Sequence, residues 1–144
     1  MTINIYVIRN RLPQEIASLE SEARREGYRH ITRLIQEWSA GETRFEYEGE
    51  RLLGAYVGEA LAGVGGMTLE PAAVEALRMR RFYVHPAMRG RGVGRSLALT
   101  LLDHARSFCS LVTVYAGNGG AAKFWESVGF QPCGRDGHTH VLEL

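Results

Sequence analysis

The densest set of groups able to hold a ligand lies in Val84-His85-Pro86-Ala87-Met88-Arg89-Gly90-Arg91-Gly92-Val93-Gly94. Glycines at 90, 92 and 94 clear alternate positions of side chains, so the main chain can turn tightly and an anion can approach its amides. A helical pattern, Leu97, Leu101, Leu102 and Ala105, starts inside the turn. The free N–H groups and dipole at a helix start favour a phosphate. Arg89, Arg91 and Arg95 add planar donors. The chemistry indicated is the cradling of a phosphorylated ligand. Two other phosphate motifs are excluded. A dinucleotide fingerprint starting at Gly90 needs glycine at its sixth residue, which is Arg95, and a Walker loop needs Gly-Lys-Ser/Thr where the chain has Gly94-Arg95-Ser96.

The turn must be held by a strand before it and a helix after it. Arg78 to Val84 reads as that strand, the fourth of the chain. Upstream, Ile3 to Ile8 is a first strand. Ile16, Leu19 and Ala23 mark a helix led by acidic residues, closed by Arg24 and Arg25 and stopped at Gly27. Ile31, Leu34, Ile35 and Trp38 mark a second helix ending at Gly41. Leu52 to Val57 and Leu61 to Leu69 form a hairpin around Gly58-Glu59, and its glycines at 63, 65 and 66 imply close approach of a backbone or a ligand. Leu111 to Tyr115 is a fifth strand. Ala121, Phe124, Trp125 and Val128 mark a short helix stopped by Gly129. Phe130 to Cys133 and Thr139 to Leu144 complete a sheet. With no repeat, linker or low-complexity tract, residues 1–144 read as one α/β domain.

Composition narrows the partners. The 144 residues carry a net charge of +1, which gives no electrostatic reason to expect nucleic acid or an anionic membrane as partner. No apolar run approaches the ~20 residues needed to span a bilayer. The opening Met1-Thr2-Ile3-Asn4-Ile5-Tyr6 has no basic leader, so the expected compartment is the cytoplasm. Cys109 and Cys133 lack both a disulfide framework and metal-ligand spacing, and no metal is expected. A terminal strand over Thr139 to Leu144 would offer an exposed edge for pairing two subunits as a homodimer.

Arg89-x-x-Gly92-x-Gly94 after Phe82-Tyr83-Val84-His85-Pro86 resembles the acetyl-CoA motif of the GNAT N-acetyltransferase superfamily. Asn118-Gly119-Gly120-Ala121-Ala122-Lys123-Phe124-Trp125-Glu126-Ser127-Val128-Gly129-Phe130 is similar to a later block of that family. The resemblance implies a mixed, mostly antiparallel sheet of six to seven strands, flanked by about four helices and splayed between the fourth and fifth strands. It implies acetyl-CoA as co-substrate and a primary amine, on a small molecule or a peptide, as acceptor. Attack would be direct, in a ternary complex.

By the same resemblance, the main chains of Phe82, Tyr83 and Val84 would line the pantetheine arm, and the amide of Val84 would receive the oxyanion. Amides from Arg89 through Gly90, Arg91, Gly92, Val93 and Gly94 to Arg95 would hold the pyrophosphate, and Asn118 would reach the cofactor from the fifth strand. Trp125 stands where a tyrosine acid is common. Indole donates a hydrogen bond but does not titrate usefully, so Trp125 reads as a packing wall against the pantetheine of the cofactor. Tyr83 and Tyr115 are substitute hydroxyls, with Tyr115 taken as the acid. Glu75 is taken as the base, with Glu70 and His85 as further candidates. Arg78 and Arg80 share a strand face and could receive an acceptor carboxylate. Missing the usual acid, the chain also fits a non-catalytic acyl-CoA-binding or sensing domain. Glycines 63, 65 and 66 would leave room for a longer acyl group.

Overall fold

The computed structural model describes residues 1–135 and 137–144. Among these, seven strands and four α-helices follow in the order β1 (Asn4–Val7), α1 (Ile16–Arg25), α2 (His30–Ser39), β2 (Arg51–Val57), β3 (Ala60–Leu69), β4 (Ala76–Val84), α3 (Val93–Ala105), β5 (Leu111–Val114), α4 (Gly119–Val128), β6 (Gln131–Arg135) and β7 (His138–Glu143). A 3-10 turn at Pro86–Met88 links β4 to α3. The strands form one sheet ordered β1-β2-β3-β4-β5-β7-β6. Every neighbouring pair is antiparallel except β4 with β5.

Each face of the sheet has its own apolar layer. Val93, Leu97, Ala98, Leu101, Leu102 and Ala105 fall on one stripe of α3 and pack on Leu53, Met67, Leu77, Met79 and Val112. Ile16, Leu19, Ala23, Ile31, Leu34 and Trp38 press α1 and α2 onto Leu52, Leu61, Val64 and Tyr83 across the sheet. Burying each such leucine contributes roughly 2 kcal/mol, so the two layers fix the sheet between them.

Two irregularities shape the middle of this sheet. β4 pairs with β5 over only three residue pairs, Ala76↔Leu111, Leu77↔Val112 and Arg78↔Thr113. Beyond Arg78 the two parallel strands part, leaving a fork. Within the fork β4 carries a bulge: between Val64↔Tyr83 and Gly66↔Arg80 it has one residue more than β3. Arg81 takes the strain with φ +62, a left-handed backbone that costs a non-glycine residue about 1–2 kcal/mol. Its guanidinium is anchored on Glu37 of α2 at 2.8 Å.

Three expectations are corrected. The terminal strand β7 lies between β5 and β6, so its main chain is already paired on both sides and gives no free edge to a second subunit. The first turn of α1 contains no acidic residue; Glu15 precedes it and receives the Tyr56 hydroxyl at 3.1 Å. The glycine run serves the protein's own packing. A Cβ on Gly65 would lie 2.7 Å from the Phe82 ring, one on Gly66 2.7 Å from the Phe45 ring, and one on Gly63 3.0 Å from the Tyr83 carbonyl. The approach is by aromatic rings and one carbonyl, so this run leaves no space for an acyl chain.

Candidate active site

The fork and the glycine turn meet at the C-terminal end of β4. The His85 N–H donates to the Ala62 carbonyl at 2.8 Å, which makes Val84↔Gly63 a pair of the non-hydrogen-bonded kind. The N–H and carbonyl of Val84 therefore point away from β3, into the gap left by β5. The carbonyl is occupied by Arg89 Nε at 3.1 Å. The Phe82 carbonyl accepts from His30 Nε2 on α2 at 2.7 Å. Burial pushes the His30 imidazole below its ordinary pKa, so the ring is neutral near pH 7 and Nε2 carries the donated proton.

At the mouth of the fork the turn is open. Gly90 has φ +76 and Gly92 φ +86, and a Cβ at either would have no neighbour within 4 Å. Their requirement is conformational, and the space beside the amides stays clear. Gly94 is close-packed instead, its Cβ position 3.3 Å from Phe124. No side chain caps α3. Ser96 reaches back to the Gly92 carbonyl at 2.9 Å, while the N–H groups of Val93, Gly94 and Arg95 precede any helical carbonyl they could use. Three unspent donors and a helix dipole thus converge on open space, which fits a pyrophosphate.

The arginine side chains divide. Arg89 is turned away from this space: Nη1 and Nη2 lie 2.8 and 2.6 Å from the two Glu26 oxygens at the end of α1, and the guanidinium sits 5.4 Å from the Tyr83 ring centre. The Tyr83 hydroxyl donates to the same carboxylate. These bonds, Arg89 foremost, pull the Glu26 carboxyl down to a pKa of about 2. Tyr83 is committed there and is unavailable as an acid. Arg95 donates to the Ser127 carbonyl at 3.2 Å, closing the end of α4. Arg91 is exposed, with Met1 Sδ at 4.0 Å from Nη1.

Asn118 caps α4, its Oδ1 receiving the Ala121 N–H at 2.8 Å. Trp125 is 5% exposed. Its ring stacks edgewise on Phe82, Phe124 and Phe130 at 4.7, 4.9 and 5.2 Å, so it backs the strand that carries Val84 and packs within the protein.

The expected proton-transfer residues are scattered. Glu75 is exposed in the turn ahead of β4, nine residues from Val84, or about 26–30 Å along the bulged strand at ~3.3 Å per residue. His85 spends Nδ1 on the Ala87 N–H at 3.1 Å. Tyr115 follows β5 and is 59% exposed, two residues beyond Thr113. The carboxylate that meets the fork is Glu70, just after β3, with a fully buried side chain. Thr113 Oγ1 donates to Oε2 at 3.1 Å, His138 Nδ1 lies 3.2 Å from Oε1, and Arg78 Nη1 lies at 3.7 Å. Arg78 and Thr113 are the last pair before the strands part, so Glu70 sits at the vertex. Glu26, His30, Thr113 and His138 carry no local signal in the sequence, because their partners are far away in the chain.

The chain is similar to known proteins in these respects. The family model described as the acetyltransferase (GNAT) family matches residues 14–130. The N-alpha-acetyltransferase RimI of Mycobacterium tuberculosis is 36% identical over 83 residues, which is 57% of this chain and 52% of that relative. The match thus spans about half the relative's length. A solved chain from Exiguobacterium sp. 255-15 superposes with a TM-score of 0.90 at 21% identity, covering 99% of this chain and 94% of that one. The GNAT family N-acetyltransferase YhbS of Escherichia coli, solved in complex with CoA, superposes with a TM-score of 0.69 at 18% identity, covering 98% and 81%.

Proposed function

The chain belongs to the GNAT acetyltransferase family, and from that premise we propose that it transfers an acetyl group from acetyl-CoA to a primary amine by direct attack. The observation that carries this reading is the continuity of the β4–β5 fork with the open glycine turn at its mouth. The amides between Arg89 and Arg95 hold the pyrophosphate. The main chains of Phe82, Tyr83 and Val84 line the pantetheine arm, with the Phe82 and Val84 carbonyls held by His30 and Arg89. Trp125 keeps that strand in place from behind, and the side-chain amide nitrogen of Asn118 reaches the cofactor.

The Val84 N–H stabilises the oxyanion, a role worth roughly 10²–10³ in rate for one donor. Glu70 is oriented by Thr113 and His138 at the vertex of the fork, about five strand steps (~16 Å) from Val84. It accepts the amine proton along a chain of waters in the fork, and in this reading takes the role expected of Glu75. The exposed hydroxyl of Tyr115 returns a proton to the departing thiolate. With a thiol pKa of about 8.5, the leaving group asks little of that acid.

A second reading, a CoA-binding domain without turnover, is favoured by the burial of Trp125, which leaves no hydroxyl at that position. One assay separates the two. Thiol release from acetyl-CoA, with a panel of amines, rises above hydrolysis for a transferase and stays at the hydrolytic background for a binding domain.

A further inference from the structure

Resting on the transferase reading, the geometry points to Arg80 as the anchor for a carboxylate on the acceptor, so that the amine acetylated is one that also carries an acid group. β4 presents three arginines in the fork region, and two have their counter-charges. Arg78 lies 3.7 Å from Glu70, and Arg81 lies 2.8 Å from Glu37. Among the described residues, no carboxylate lies within 4 Å of Arg80 between them. Arg80 is half-buried, and a guanidinium withdrawn from water without an anion is an expensive arrangement. Burial disfavours its cationic form most, then the adjacent Arg81 and Arg78 charges, while Glu37 and Glu70, each paired with another arginine, offset part of this without touching it. A carboxylate arriving from solution would answer each of these penalties at once, with the planar two-oxygen geometry that guanidinium matches.

Its position suits an acceptor. Arg80 opposes Gly66, whose missing side chain faces Phe45 in the α1–α2 layer. Cross-strand partners share a face, so Arg80 projects on the side of the sheet away from α3. On that side α1 and α2 cover β3 and β4, and Tyr115 beyond β5 is exposed. An acceptor can therefore reach the fork past β5. Along β4, Arg80 and Val84 lie about 10 Å apart, three ordinary strand steps plus the bulge. Part of that span falls to the Arg80 side chain itself, which leaves two sources able to present both groups: a free amino acid, and a peptide amino terminus followed by an acidic side chain.

The test measures kcat/KM for acid and amide pairs with acetyl-CoA: an amino acid against its carboxamide, and an Asp-containing amino-terminal peptide against its Asn counterpart. In the unmodified protein one acid is expected to exceed its amide by about 10- to 100-fold, in line with hydrogen bonds to charged groups. Which pair shows the preference identifies the source. In Arg80→Gln that ratio falls to near one and in Arg80→Lys it is intermediate, while the Kd for CoA stays as in the parent and shows that the fold is intact. Equal use of acid and amide by the unmodified protein overturns the assignment, as does a preference that survives in Arg80→Gln. If no amine is acetylated, the transferase reading fails on its own. Arg80 is then judged by the thermal shift given by the same acids and amides. An acid-specific shift abolished by Arg80→Gln supports the anchor, and its absence removes it.

Discussion

Arg89 and Glu26 form a two-pronged ion pair, 2.8 and 2.6 Å, between the glycine turn and the end of α1. The arginine of the phosphate motif thereby braces the turn against a helix 63 residues away in the chain. Cutting the brace in Glu26→Gln is expected to cost about 1 kcal/mol of stability, since the pair is partly exposed. CoA affinity should weaken several-fold because the turn loses its fixed position. An unchanged Kd in the folded variant would leave Arg89 with no part in positioning the turn.

The same pair sets an acid limit. Glu26 has its carboxyl lowered from 4.5 to about 2, so its stabilisation is fully present above pH 4.5 and is lost as pH falls from there towards 2. His30 acts earlier. Its pKa lies below the ordinary 6.5, so stability declines as pH drops below 6.5, where the unfolded chain takes up the proton first. Thermal unfolding of the parent should thus show two descending steps. Glu26→Gln should flatten the lower one and His30→Gln should lessen the upper one, to which His104, also lowered by burial, contributes.

Gly92 separates conformation from charge. Its φ of +86 tolerates asparagine better than most residues, and the space around it is open. Gly92→Asn should keep most CoA affinity. Gly92→Asp should fold as well, yet bind CoA about 10- to 100-fold more weakly than Gly92→Asn, because it places a negative charge at the helix start meant for the pyrophosphate. Calorimetric titration of both variants decides it, and equal affinities would move the pyrophosphate elsewhere.

The base is decided by comparing two glutamates. Glu70→Gln keeps the shape that meets Thr113 and His138, and should lower kcat about 100-fold or more with the Kd for CoA little changed. Glu75→Gln should leave kcat near the parent value. The reverse pattern would return the base to Glu75 and make Glu70 a structural residue.

Gly65→Ala tests the packing of the glycine run. A methyl group 2.7 Å from the Phe82 ring forces that ring off Trp125 or bends β3, at about 1–3 kcal/mol. Denaturant unfolding should show that loss, and kcat should fall with it as Phe82 shifts along the fork. A fully stable variant would mean the contact relaxes without cost.

The glycine-turn end of the fork is local in sequence, and that is why its strand, turn and helix are legible there. Phe82 to Arg95 runs continuously from strand through turn to helix, and its signals of alternation, glycine and helical spacing lie within a few residues of one another. The same applies to Asn118 and its cap. The acceptor and proton-transfer end is assembled across the chain. Glu70 meets Thr113 and His138 across 43 and 68 residues, and the bulge at Arg81 arises from a register shift that no single segment encodes. Glu75 is near β4 in sequence, whereas in the fold it is exposed in the turn and the buried carboxylate beside the fork is Glu70. The glycines at 63, 65 and 66 announced close approach correctly, but could not say that the visitors were Phe82, Phe45 and a carbonyl.

The fork also makes the protein unfinished as a sheet. Val84 offers an N–H to a strand that is absent, and past Arg78 the parallel pairing stops after three residues. A CoA thioester laid along that edge would act as a borrowed strand, so part of the architecture's cohesion is on loan from the substrate. Resistance to unfolding should then follow the supply of CoA by mass action, gaining about 2.7 kcal/mol when the ligand stands at 100 times its Kd. Starvation for the cofactor would loosen the centre of the sheet before it reached either edge.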